Sequence, residues 1–327
     1  MQPCAREVCP QAGGSSIAKT FDALALDAAA PEVAATLEAN KIVRFLSSPV
    51  PLPPGEALRQ LRAQLPRSLR LKNVSYHPQG QRLVGLEAHS AVRDRTKQVL
   101  HEHVNAVSAF LRRVVPHLCV GWTVGKCSFR PVQERGRNLP PHASNELVHV
   151  DAGAYGATHG NRILRFFVNV SDEEDRVWVS KGALQDVLRR HGAAAGLLDS
   201  SERLRIRIQE NFADRLFSLW IRSLAHVNPL ARVLDSSPYD RAMRRLHNYM
   251  KDNESFKADR EGYEEIRFPP GSAWMAFTDG VSHACLAGQF ALVTTLLIRR
   301  AALQYPQFSP YELLAAHAAS RSKTSSG

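Results

Sequence analysis

The sequence predicts an α+β protein: a β-barrel or jelly roll flanked by helices and interrupted by a helical insertion. Three observations point there. Strand-like runs gather in two blocks, 119–170 and 263–298, on either side of a helical stretch at about 181–260. The alternating strand–helix rhythm of a parallel doubly wound sheet is missing. With 327 residues, 44% of them hydrophobic and 22% charged, the chain can bury a sizeable core.

Residues 1–20 read as a disordered leader, and 21–315 as one domain. "PEVAATLEA" (31–39) predicts a short helix with Pro31 in its first turn, and "KIVRFL" (41–46) a strand. The Pro-rich 47–56 segment leads into a helix, "EALRQLRAQL". In 90–115, Val92, Val99, Leu100, Val104, Val107, Phe110, Leu111 and Val114 recur at steps of three and four, which builds one apolar stripe. His101 and His103 on that helix diverge and are expected at the surface. "CVGWTVGKCSFRPV" reads as one or two strands, 133–145 as a polar loop, and "ELVHV" (146–150) and "RILRFFVNV" (162–170) as strands. Within the insertion, 182–192, 202–226 and 237–253 show helical spacing. The apolar residues Phe212, Leu216, Phe217, Leu219 and Trp220 read there as core packing rather than membrane contact. Strands return in "YEEIRF", "SAWMAF" and "QFALVTTLLI", followed by a short helix and a flexible tail at 316–327.

No run of 18 apolar residues is present, so no transmembrane helix is expected, and the N-terminal residues lack the apolar segment of a secretory signal. Five scattered cysteines match no disulfide or zinc framework and imply reduced thiols in a cytoplasmic protein. The net charge of +11 favours an anionic partner. The arginines form no stripe interleaved with aromatics, so nucleic acid is not expected.

The chemistry centres on His149-x-Asp151. A strand points residues i and i+2 to one face, so both side chains can reach one metal ion. By itself the pattern is expected about once by chance in a chain with 13 histidines and 31 acids. The best third ligand is His283, between two strand-like runs. Two imidazoles and one carboxylate form a facial triad that holds non-haem Fe(II) with positions left open, although zinc accepts the same set. A keto acid co-substrate such as 2-oxoglutarate would need a cation for its far carboxylate. Arg165 stands in the middle of an apolar strand, where an unpaired charge is costly. Alternation puts Ile163, Arg165, Phe167 and Asn169 on one face and Arg162, Leu164, Phe166 and Val168 on the other. Whether the Arg165 face meets a pocket or solvent stays open on pattern alone.

The blocks "SFRPVQERGRN…LVHVDA…THGNRILRFFVNV" and "FTDGVSHACLAGQFAL" resemble the Kdo hydroxylase family, Fe(II)/2-oxoglutarate-dependent enzymes acting on the inner core of lipopolysaccharide. The resemblance is strong over about 120–180 and 265–300. It implies a double-stranded β-helix, the cupin-like jelly roll, with His149, Asp151 and His283 as iron ligands. It implies Arg165 as the 2-oxoglutarate clamp, with Arg162 the second choice and Asn169 beside them. Arg130, Arg135 and Arg137 become candidate contacts to the substrate's anionic groups. The implied reaction consumes O₂ and hydroxylates carbon 3 of Kdo (3-deoxy-D-manno-oct-2-ulosonic acid) on Kdo-lipid A. A basic protein then meets an anionic glycolipid at the cytoplasmic face of the inner membrane. Asp279 is expected either to cap a turn or to orient His283, and His142 and His159 are expected to be loop residues. The competing readings are an oxygenase of the same mechanism acting on another acidic sugar or lipid, and a non-catalytic cupin-like binding protein.

Overall fold

The computed structural model describes residues 16–319 apart from 66–68, 70–72, 88–89, 154–155 and 228–234. A large sheet runs in the order β1 (Ala18–Thr20), β2 (Ile42–Phe45), β9 (Ala273–Phe277), β6 (Arg162–Asn169), β11 (Ala291–Ile298), β5 (Thr123–Arg130), β3 (Val74–His77), β4 (Arg82–Val84). A small sheet runs β10 (Ala284–Ala287), β7 (Arg176–Ser180), β8 (Glu264–Phe268). All neighbouring pairs are antiparallel except β1–β2. The two sheets face each other, as a jelly roll requires.

The period of two along each strand sorts the core. Phe167, Trp274 and Val293 of the large sheet meet Trp178, Ile266, Phe268 and Cys285 of the small one. Trp274 stacks on Phe268 at 3.9 Å and on Phe167 at 5.0 Å. Burying each such ring stabilises by roughly 2–3 kcal/mol. Leu164, Phe166 and Val168 point the other way, into a second cluster with α1 (Leu26–Glu38), α2 (Gly55–Gln64) and α3 (Ser90–Val114). A third cluster joins α4 (Leu184–His191), α6 (Pro238–Asp252), the short α7 (Glu254–Ala258) and α8 (Pro310–Ala319) to Val150. This cluster presses the insertion against one end of the barrel, beside His149 and Asp151.

Several expectations are corrected. Residues 18–20 are not leader: they pair in parallel with β2. Residues 1–15 and 320–327 lie outside the described residues, and 316–319 belong to α8 rather than to a tail. α1 begins at Leu26, so Pro31 sits inside it rather than in its first turn. "ELVHV" forms no strand; it contributes a single bridge, His149 to His283. Residues 202–211 are not helical, and the helix α5 spans Phe212–Val227. In "RLRIRI" the arginines alternate with Leu204, Ile206 and Ile208, a period of two that suits extended chain. His103 is buried, not at the surface, because it lies four residues from both Val99 and Val107 on the apolar stripe. His101, on the other side, meets the Tyr76 hydroxyl at 3.0 Å. The apolar residues of α5 are not core at all: Phe212, Leu216, Phe217, Leu219 and Trp220 are exposed.

Candidate active site

His149 and His283 are brought together by a two-bond bridge: the His149 amide donates to the His283 carbonyl at 3.0 Å, and the reverse bond is 2.8 Å. The Asp151 amide donates to the Thr278 carbonyl at 2.8 Å, which seats it against the end of β9. One ligand atom from each of His149, Asp151 and His283 lies within 4.8 Å of the others, and no other such cluster occurs among the described residues. The His149 Nδ1 donates to the Leu147 carbonyl at 2.8 Å, and the His283 Nδ1 to the Val281 carbonyl at 3.1 Å. Those bonds leave both Nε2 lone pairs for a metal, as metal-binding histidines require.

The electrostatics suit a cation. Burial holds His283 neutral, with its pKa lowered to about 4. Burial, reinforced by His283 and Lys251, lowers His149 well below its ordinary value. Burial would raise Asp151, but Arg165, followed by His283 and His149, holds it well below the carboxylate range. Two neutral imidazoles and one carboxylate, with open space in front, fit Fe(II).

Arg165 faces inward. β6 pairs it with Thr295 of β11 and Ala276 of β9, and its Nη2 lies 2.9 Å from Asp151 Oδ2. Thr295 is paired in turn with Lys126 of β5, so Lys126 and Arg165 stand in one row across three strands. A cavity of about 190 Å³ opens in front of the triad, walled by Arg130, Arg165, Phe167 and Trp178 on the barrel side and by His247 and Lys251 of α6 on the other. Trp178 stacks on the His283 ring at 5.0 Å, and its buried Nε1 has no hydrogen-bond partner. Burial and the neighbouring cations Arg165 and Arg130 lower Lys126 to about 8. Burial, Arg176 and Arg165 lower Arg130 to about 10. A cation-crowded wall of this kind calls for an anionic ligand.

The remaining expected residues lie elsewhere. Arg162 points to the opposite face of β6, as alternation demands. It is fully buried over the Phe277 ring, donates from Nε to Asp279 Oδ2 at 2.8 Å, and from Nη2 to Asn40 at 2.7 Å. It does not reach the cavity, and Asp279 serves this ion pair rather than orienting His283. Asn169 is buried at the end of β6, where its amide donates to the carbonyls of Glu174 and Phe268 and shapes a turn instead of a binding wall. Arg135 is exposed, and Arg137, paired with Glu134 at 3.4 Å, does not line the cavity. Of the three expected substrate arginines only Arg130 lines the cavity. His142 also lines it but pairs with Asp252 at 2.8 Å, whereas His159 pairs with Glu210 elsewhere. Trp178, His247 and Lys251 also line the cavity, though no motif in the sequence points to them. The i, i+4 spacing of His247 and Lys251 places them on one helix face, but nothing local says that this face meets the triad.

A jelly roll carrying two histidines and one carboxylate at the mouth of a cationic cavity defines the class of non-haem iron oxygenases. The model of the 3-deoxy-D-manno-oct-2-ulosonic acid (Kdo) hydroxylase family matches residues 22–321, and the chain belongs to that family. Solved structures of the Kdo hydroxylase KdoO, a non-haem Fe(II) alpha-ketoglutarate-dependent dioxygenase, are similar over most of their length. The apo form is 26% identical with a TM-score of 0.75, covering 91% of this chain and 95% of that one. The complex with alpha-ketoglutarate and Fe(III) is 25% identical with a TM-score of 0.73 over 91% and 95% of the two chains. The cobalt(II) complex is 26% identical with a TM-score of 0.74 over 95% and 99%. No curated protein matches. The chain is thus an Fe(II)- and 2-oxoglutarate-dependent dioxygenase of the Kdo hydroxylase family.

Proposed function

We propose that the enzyme hydroxylates carbon 3 of Kdo on Kdo-lipid A, with His149, Asp151 and His283 as iron ligands and Arg165 as the clamp for the far carboxylate of 2-oxoglutarate. The supporting observation is Arg165 itself: a guanidinium on the barrel's inner face, 2.9 Å from a triad carboxylate and open to the cavity. Arg130 and Lys251 supply further cations for carboxylates entering the same space. When bound, iron supplies the O₂ activation that no side chain here can perform. The protein's share is positional. The carbonyls of Leu147 and Val281 orient the two imidazoles, Phe167 and Trp178 form a dry wall, and Arg165 and Arg130 pull the anionic groups into register. The substrate's carboxylate and lipid A phosphates match the basic chain, and action at the cytoplasmic face of the inner membrane follows from a lipid-borne acceptor. Among the described residues no helix is long and apolar enough to cross a membrane.

The test is incubation with Fe(II), ascorbate, 2-oxoglutarate and Kdo-lipid A. Succinate release coupled to one added oxygen per Kdo is expected. Failure to bind 2-oxoglutarate, together with no succinate, overturns the reading.

A further inference from the structure

Ten large apolar side chains are strongly exposed among the described residues, and five of them sit on α5. Phe212 is 81% exposed, Leu216 58%, Phe217 51%, Leu219 60% and Trp220 58%. The other five are scattered singly, which is ordinary for a soluble surface, whereas a cluster on one element is not. At 100° per residue, positions 212, 216, 219 and 220 fall on one stripe with Phe217 at its margin. The edge turned to the protein is the more polar one. Ser218 is buried and donates to Asp235 at 2.9 Å, Asp214 accepts from Arg207 at 2.6 Å, and among the described side chains of α5 Ile221 is the one buried apolar group. α5 is therefore amphipathic and mounted with its apolar face outward.

We infer that α5 is a membrane-docking element, its apolar face entering the interfacial region of an anionic lipid bilayer. Charge selects this occupant. The extended segment before α5 turns Arg203, Arg205 and Arg207 to solvent, and Arg215 and Arg241 are exposed beside the helix. Aromatics and leucines on one face with arginines around them are the pattern of a helix lying in an anionic lipid interface. A second copy of the chain fits less well. One face of a 16-residue helix offers a few hundred Å², short of the roughly 800 Å² per partner that a stable dimer buries. At that length α5 also cannot span a bilayer. The consequence for the enzyme is geometric. Ser218 ties α5 to Asp235, just ahead of α6, and α6 carries His247 and Lys251 to the cavity mouth. Docking α5 brings that mouth to the surface where a lipid-borne sugar would be presented. This last step rests on the proposed function; the docking itself does not.

The experiment is flotation of the full-length protein with vesicles of phosphatidylethanolamine and phosphatidylglycerol, and separately with pure phosphatidylcholine. Phe217→Ser/Trp220→Ser is compared with the unchanged chain, and solution mass is measured for both. Binding to the anionic vesicles is expected, weakened about tenfold or more by the double substitution because two buried rings are lost. Arg203→Gln/Arg205→Gln should weaken it less and reduce its salt dependence. Thermal unfolding should be unchanged, since these side chains touch solvent. Failure of the unchanged protein to float, or equal flotation by the double variant, overturns the inference. So does a dimer that the double substitution dissociates, which would show a second copy as the occupant. None of these readouts needs turnover, so an inactive but vesicle-binding protein would sink the proposed function and leave the docking face standing.

Discussion

Replacing Arg165 separates a co-substrate clamp from a structural charge. Its Nη2 lies 2.9 Å from Asp151 Oδ2, and 19% of its side chain is exposed. At the effective dielectric of about 20 that suits partly buried sites, two unit charges about 4 Å apart interact by ~4 kcal/mol. A hydrogen bond to a charged group nets about 1.5–3 kcal/mol after desolvation. Taking about 3 kcal/mol as the loss, Arg165→Ala should weaken 2-oxoglutarate binding roughly 100-fold or somewhat more. Arg165→Lys keeps the charge but not the planar fork, and should lose about tenfold. Metal affinity should not fall, because in the free protein Arg165 and a metal ion compete for the same carboxylate. The assay is calorimetric titration of the divalent metal, then of 2-oxoglutarate, into each variant. An unchanged affinity for 2-oxoglutarate would move the clamp to another cation, and a parallel loss of metal binding would make Arg165 a structural support of the triad.

Three further outcomes are expected. His149→Ala and His283→Ala should each abolish metal retention and succinate release while circular dichroism stays native; normal turnover in either removes that residue from the triad. Arg162→Met should act on stability instead. It leaves Asp279 buried and unpaired, which costs about 3–5 kcal/mol, so denaturant midpoints should drop sharply while any folded fraction binds 2-oxoglutarate normally. His103 predicts acid sensitivity. Burial lowers its pKa from 6.5 to about 4, so the unfolded chain takes up the proton first. Its contribution to stability is whole above about pH 6.5 and falls as the pH drops toward 4, by about 3 kcal/mol in total. His103→Leu should flatten that part of the pH–stability curve, measured by urea unfolding; an unaltered slope would place the acid-labile group elsewhere.

Local patterns carried a good deal of this molecule. The alternation in 162–170 placed Arg165 with Phe167 on one face and Arg162 on the other, and both ended on those sides. That same alternation already argues against Arg162 as a second clamp, since a side chain three residues away on a strand, an odd number, points to the opposite face. The stripe on α3 is readable at its three- and four-residue steps, and His103 sits on it, which is why it is buried despite being polar. "RLRIRI" passes for helix only when its six residues of alternation are absorbed into the longer helical spacing of the residues that follow.

The sequence alone made β2, β5, β6, β8, β9 and β11 and the candidate metal donors legible, because periodicity and ligand chemistry act over a few residues. It did not determine what each face meets. Trp178, His247 and Lys251 join the site only when separate strands and a helix of the insertion converge, and that pairing is set by which apolar faces bury one another. The same holds for α5: its amphipathic spacing is local, but only the tertiary structure turns its apolar side away from the core, where Ser218 and Asp214 hold its polar edge to the protein.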